Sequence, residues 1–288
     1  MAATRRWVAA TISVPSLGCN QSRLVFAVSA LGRQSYFLPI FSSLVVLAWV
    51  TLWVWEQSPY GRYLNHAELG NIDRSGDGGD FITMALPYVI GWTLMTVAMM
   101  LPTSLPLIEI FRRLTRRRSD HRQLVALLIT GYLSIWLAFG VVAHLFDWSL
   151  HKAFDRSAWL QSNAWVFGAG PLILAGLFQF TELKYRCLEK CRTPLSFVMQ
   201  HWRGSGQHLQ AFALGVNHGM FCVGCCWALM LLMFAVGTGN VGWMLLLGAI
   251  MAVEKNLPWG KKFSTPLGVT LLVWGGLIVF NHSFAWNL

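Results

Sequence analysis

The chain of 288 residues is 55% apolar and only 12% charged, with a mean hydropathy of +0.51. Ordinary soluble domains carry about 25% charged residues, so this composition excludes a water-soluble fold and requires lipid around the apolar excess. The net charge of +10 would suggest nucleic acid only on a soluble basic face; here the basic residues lie between apolar runs, and no nucleic-acid partner is expected.

Residues 1–36 form a basic segment (Arg5, Arg6, Arg23 and Arg33) without the uninterrupted apolar core of a cleaved signal. It is expected on the cytoplasmic side, ahead of a single transmembrane domain over 37–288. Seven apolar runs then qualify as spans, at roughly 17–25 residues for each crossing. They lie near Phe37–Trp55, Phe81–Ile110, Leu124–Phe146, Ala164–Phe180, Ala211–Val236, Val241–Val253 and Pro266–Ala285. Lipid offers no partner for a free backbone amide, so each is a helix, and the fold class is an all-α polytopic bundle. Pro87, Pro102 and Pro106 should bend the second span. The sixth run is short and is read either as re-entrant or as continuing through Glu254 and Lys255 with snorkelling side chains. The stretch from Gln57 to Asp80, rich in glycine and aspartate, reads as a solvated loop.

Orientation follows from the basic residues. Of the 22 lysines and arginines, all but Arg62, Arg74, Lys152 and Arg156 fall in the N-terminal segment or in the loops after spans two, four and six. By the positive-inside rule the N-terminus is cytoplasmic and, with seven spans, the C-terminus is outside. The run Arg112-Arg113-Leu114-Thr115-Arg116-Arg117-Arg118 reads as a topology anchor beside anionic lipid.

The chemistry sits in the cysteines. Cys187 and Cys191 follow span four and share one face if the helix continues. In span five, His218, Cys222, Cys225, Leu229 and Met233 fall on one stripe at about 100° per residue, with Cys226 on its flank. Thiolates and thioethers select Cu(I), while Zn(II) accepts Cys and His and remains the alternative metal. Met84, Met95 and Met99 share a face of span two, with Met95 at nearly the depth of Cys222, and methionine favours copper over zinc. Spans two and five are therefore expected to pack together, with Gly215, Gly219 and Gly224 allowing the approach. Cys222 lies about 16 Å inward of Ala211, so Cys187 could share an ion with it only if span four kinks or its extension folds back into the bundle. A disulfide between helical neighbours would be strained. Lys184 and Arg192 read as topology anchors that could also tune the nearby thiols, and Glu254 either as a charge partner or proton site or as a plain pair for Lys255.

Three segments carry a family resemblance. They are Trp92-Thr93-Leu94-Met95-Thr96-Val97-Ala98-Met99-Met100-Leu101-Pro102, the Lys184-x-x-Cys187-Leu188-x-x-Cys191-Arg192-x-Pro194 pattern, and Gly219-x-x-Cys222-x-Gly224-Cys225-Cys226-Trp227-Ala228-Leu229-Met230, with Glu254-Lys255 beyond them. Over residues 81–260 or so the chain resembles the bacterial predicted metal-binding integral membrane proteins, a copper-chaperone-like family linked to the maturation of tyrosinase-type oxidases. The resemblance implies copper handling rather than catalysis, in a multi-pass protein of the bacterial inner membrane, with a client copper enzyme or membrane complex as partner. Where it implies Gly-x-Met-Asn before span six, this chain has Gly237-Thr238-Gly239-Asn240. The candidate metal ligands are thus Cys222, Cys225, Cys226, His218, Met95, Met99, Cys187 and Cys191. Two other readings stay open, an accessory subunit of a membrane oxidase or transport complex and a membrane thiol oxidoreductase.

Overall fold

Proline, glycine and the need to satisfy backbone amides in lipid divide the chain into the segments seen in the computed structural model. It describes residues 37–58, 81–163, 165–202, 206–236 and 240–285. The basic N-terminal segment, the aspartate-rich loop and Gly237–Gly239 lie outside the described residues. Among the described residues all regular structure is helical: α1 (Phe37–Gln57), α2 (Phe81–Met99), α3 (Leu105–Thr115), α4 (His121–Arg156), α5 (Ala158–Ser162), α6 (Trp165–Phe178), α7 (Glu182–Arg192), α8 (Pro194–His201), α9 (Gln207–Val236), α10 (Val241–Asn256) and α11 (Gly260–Ala285). Residues 38–288 form one compact unit.

Four described helices are long and apolar enough to cross a membrane, namely α1, α4, α9 and α11. Two bent pairs bring the number to as many as six if each pair is one span: α2 with the segment from Pro102 to Thr115, bent by 42°, and α6 with α7, bent by 66°. Helix α10, the sixth run of the sequence, has 16 residues.

The expected bend in span two is a break. Met100 and Leu101 both donate their amides to the Thr96 carbonyl, at 2.8 and 3.1 Å, and a 3₁₀ turn over Pro102–Ser104 leads into α3. The Met100 carbonyl thereby loses its α-helical partner. Hydroxyls replace it: Thr103 donates at 2.8 Å, Tyr132 at 3.2 Å and Ser104 at 3.5 Å. A backbone oxygen freed in an apolar interior has to be satisfied this way, and the break therefore draws α4 toward it.

Span four breaks too. After Phe178 the chain closes tight turns through Phe180 and Thr181, and the Thr181 hydroxyl caps α7 by accepting from the Lys184 amide at 3.3 Å. Glu182 in the first turn and Lys190 and Arg192 in the last complement the helix dipole. Instead of continuing along span four, α7 turns back against α9.

The principal partner of α9 is α4, and it also packs against α7 and α6. Glycines permit the α4–α9 approach. A Cβ at Gly215 would lie 2.0 Å from the Leu128 carbonyl oxygen, and one at Gly131 would lie 2.3 Å from the Phe212 oxygen. The pair α6 and α11 closes similarly, with a Cβ at Gly275 falling 2.7 Å from the Ile173 side chain. Helix α2 docks on α4 through polar aromatic ends. Tyr88 donates to the Gly140 carbonyl at 2.7 Å and Trp92 Nε1 to the Trp136 carbonyl at 2.8 Å. The small residues of span five thus bring it close to span three, where close contact with span two was expected. Small side chains let backbones meet, and the polar break in span two reaches α9 only through its side chains.

Gly215→Ala should force α4 and α9 apart and destabilise the protein by about 1–3 kcal/mol, the usual cost of overpacking. Gly276→Ala, where a Cβ meets nothing within 4 Å, should be neutral. Thermal unfolding of the detergent-solubilised protein, read for both variants, checks the contrast.

Candidate metal site

Helix α9 carries His218, Cys222, Cys225 and Cys226, all buried. Cys225 and Cys226 donate back to the Cys222 carbonyl at 3.1 and 2.8 Å, which orders both thiols around the first one. The fold-back of α7 adds the other pair. The Cys187 sulfur lies 2.7 Å from where a Cβ on Gly224 would stand, so only glycine admits it. The Cys191 thiol comes close to the Cys222 and Cys225 thiols. The separation in depth expected between Cys187 and Cys222 is therefore removed, because span four kinks by 66° after Phe178 and α7 packs against α9. Cys191 stays partly exposed, whereas Cys222 is 1% exposed. All five thiols are free.

Two further side chains, Tyr132 and Lys255, meet the Cys222 sulfur. The Tyr132 hydroxyl sits 3.0 Å from its sulfur. Lys255 Nζ donates to the same sulfur at 2.9 Å and lies 3.4 Å from Thr103 Oγ1, 3.8 Å from the Cys226 sulfur and 4.0 Å from the Met100 sulfur. His218 stacks on Tyr132, with centroids 5.7 Å apart, and its Nε2 is 3.3 Å from Ser104 Oγ. Its Nδ1 is buried without a hydrogen-bond partner.

A second buried polar cluster adjoins the first. Lys184, wholly buried, donates to Glu254 at 2.6 Å and also to Gln179. Ser264 donates to the same Glu254 oxygen at 2.8 Å. Arg192 donates to the Glu254 and Pro258 carbonyls, at 2.5 and 3.0 Å, at the C-terminal end of α10. These contacts tie α7, α10 and α11 to one carboxylate and hold Cys187 and Cys191 against α9. Of the two expectations for Glu254, the charge partner holds: it pairs with Lys184 and not with Lys255. Neighbours on a helix point about 100° apart, so Glu254 faces α7 while Lys255 faces the sulfurs.

The other expected residues are placed as follows. Met95 and Met99 are buried, and the Met99 side chain lies against Gly248 of α10. The Met100 thioether lies 4.0 Å from the Lys255 ammonium that donates to the Cys222 sulfur. Sequence reasoning missed Met100, Tyr132 and Ser104, and it assigned Lys255 to the lipid boundary. The one available signal was a lysine and a glutamate adjacent at the end of an unusually short apolar run.

The donor chemistry suits a soft cation: five thiols, a thioether and an unpaired imidazole nitrogen in one buried region. Among the described residues no three His, Cys, Asp or Glu side chains are disposed to hold an ion together. A cation satisfied by two thiolates requires no third donor of that kind.

A family model described as PpoB2, copper chaperone, matches residues 89–278, more than half of the chain and all five of these cysteines. The chain belongs to this copper chaperone family. No curated protein and no solved structure is significantly similar to it. The matched stretch begins in α2 and ends in α11, so it takes in both helix breaks and both buried lysines.

Removing one partner of a buried ion pair strands the other charge, at a cost of about 3–5 kcal/mol. Glu254→Gln should therefore lower thermal stability and, by releasing α7, raise the rate at which Cys187 is alkylated by a maleimide. Replacing both partners, Lys184→Met with Glu254→Leu, should recover most of the stability. An alkylation rate unchanged in Glu254→Gln would show that α7 is held by other contacts.

Proposed function

We propose that this protein is a multi-pass chaperone of the bacterial inner membrane that binds Cu(I) in the α9 cysteine cluster and delivers it to a copper-dependent enzyme. The observation that carries the reading is the convergence of five buried or half-buried thiols at the break points of two spans, in a chain of the copper chaperone family. Cu(I) is favoured over Zn(II) because the site offers sulfur almost alone, with the Met100 thioether beside it.

In this reading Cys222 is the central ligand, with Cys225, Cys226 or Cys191 as the second. Cys191, partly exposed yet close to Cys222 and Cys225, is the point of exchange with the cytoplasmic side, and Cys187 supports it beneath Gly224. Thiol ligands replace one another without leaving the ion bare, so it can step from Cys191 to Cys222. His218 contributes through its unpaired Nδ1 or stays a packing group on Tyr132. Met95 and Met99 line α2 and shape the wall. In this reading the protein acts as a carrier.

The topology belongs to the same proposal. Helix α10 serves as a short seventh crossing beside the four long helices and the two bent pairs, with the basic N-terminal segment in the cytoplasm and the C-terminus outside. Reporter fusions at Arg118 and Asp155 should then report opposite compartments. Agreement between them would remove the crossing assigned to α4.

Cys222→Ser and Cys225→Ser should abolish high-affinity Cu(I) binding while leaving the protein folded in the membrane, because serine preserves volume and removes the soft donor. Cys187→Ser should slow loading more than it weakens affinity. Anaerobic Cu(I) competition titrations on the purified variants check both. Metal-free protein with a redox-active disulfide would favour a thiol oxidoreductase instead.

A further inference from the structure

Lys255 is unusual even among buried lysines, because its ammonium points into sulfur. Its nearest acceptor is the Cys222 sulfur at 2.9 Å, with the Cys226 sulfur, the Met100 sulfur and the Thr103 hydroxyl around it. The adjacent carboxylate, Glu254, is engaged by Lys184 and Ser264 on the other side of α10. Two ammonium groups and one carboxylate are thus enclosed together, leaving one positive charge whose nearest described acceptor is a thiol sulfur. A buried charge is tolerated when it is paired, and the Cys222 sulfur is the partner in place.

We propose that Lys255 is a specificity residue, a built-in counter-charge that makes the sulfur site accept a monovalent cation and reject divalent ones. The inference rests on the copper-binding reading above and adds the basis of its selectivity. Before loading, the Lys255 ammonium and one thiolate are neutral together. A monovalent cation enters and binds the Cys222 sulfur and that of a second cysteine, and the second thiol releases its proton to water. Two thiolates, one ammonium and one monovalent cation then sum to zero. A divalent cation on the same two sulfurs would leave one uncompensated positive charge in an apolar interior. Softness alone would not separate Cu(I) from a soft divalent ion such as Cd(II), whereas charge does.

The test compares Cu(I) with Cd(II) on the full-length protein in detergent, using anaerobic competition titrations and the Cd–thiolate absorption band. Lys255→Gln keeps a donor near the sulfur and removes the charge; Lys255→Met removes both; Lys255→Arg keeps the charge. The Cu(I)-over-Cd(II) preference should fall by about 100-fold in the Gln and Met variants, since one unit charge a few ångströms away is unscreened there. It should stay within a few-fold of the natural protein in the Arg variant. An unchanged preference in Lys255→Gln would overturn the proposal, as would a loss of preference in Lys255→Arg equal to that in Lys255→Gln. If Lys255→Met fails to fold, the Gln and Arg variants still decide the question. Failure of the natural protein itself to bind Cu(I) would reject the copper-binding reading first, a result distinguishable from an unchanged preference.

Discussion

The buried ion pair between Lys184 and Glu254 is the contact on which the cysteine cluster depends. Desolvating two charges is expensive, and the expense is offset only where further hydrogen bonds complete the pair. Here Gln179 and Ser264 do so, and Arg192 takes the carbonyls at the end of α10. The reward is geometric rather than energetic. Without this anchor, a short polar helix such as α7, with three basic residues after Glu182 besides Lys184, would move to the lipid headgroups. With it, α7 lies against α9 and places two cysteines beside three.

Both halves of the site use broken helices, for the same reason. A continuous helix satisfies its own backbone and presents only a lateral stripe. A break at Met100 or Phe178 exposes backbone groups that must find partners, and the side chains recruited for that purpose meet in the interior. Tyr132 shows the link most directly, since its hydroxyl contacts the Met100 carbonyl and the Cys222 sulfur together. The glycines of α9 are the complementary requirement. Gly215 and Gly219 seat the helix against α4, while Gly224 leaves room for the Cys187 sulfur.

A copper chaperone in a membrane must stabilise a cation in a poor dielectric and yet release it. Polar groups held rigidly would bind too tightly or exclude the ion. Under the proposed reading, a cluster of interchangeable thiols with one fixed ammonium meets both demands, because the ion can exchange ligands while the total charge stays constant. Cys191 is the partly exposed member of the cluster.

Much of this was legible in the sequence. The apolar runs, the helical class, the cysteine motifs and the copper chaperone resemblance depend on composition and local spacing, which need no knowledge of packing. The bend in span two followed from Pro102, and the close approach by α9 from Gly215 and Gly219, although span three proved the helix approached. What the tertiary structure alone decided was which charges and sulfurs meet. Lys255 reads as a boundary residue in one dimension, and Cys187 as lying outside the membrane, because each was placed by the length of its own helix. Their actual positions follow from two breaks and an ion pair spanning 70 residues. Long-range pairing of buried charge leaves no periodic trace in a single chain, so the sequence determined the ligands on offer and the fold determined which of them converge.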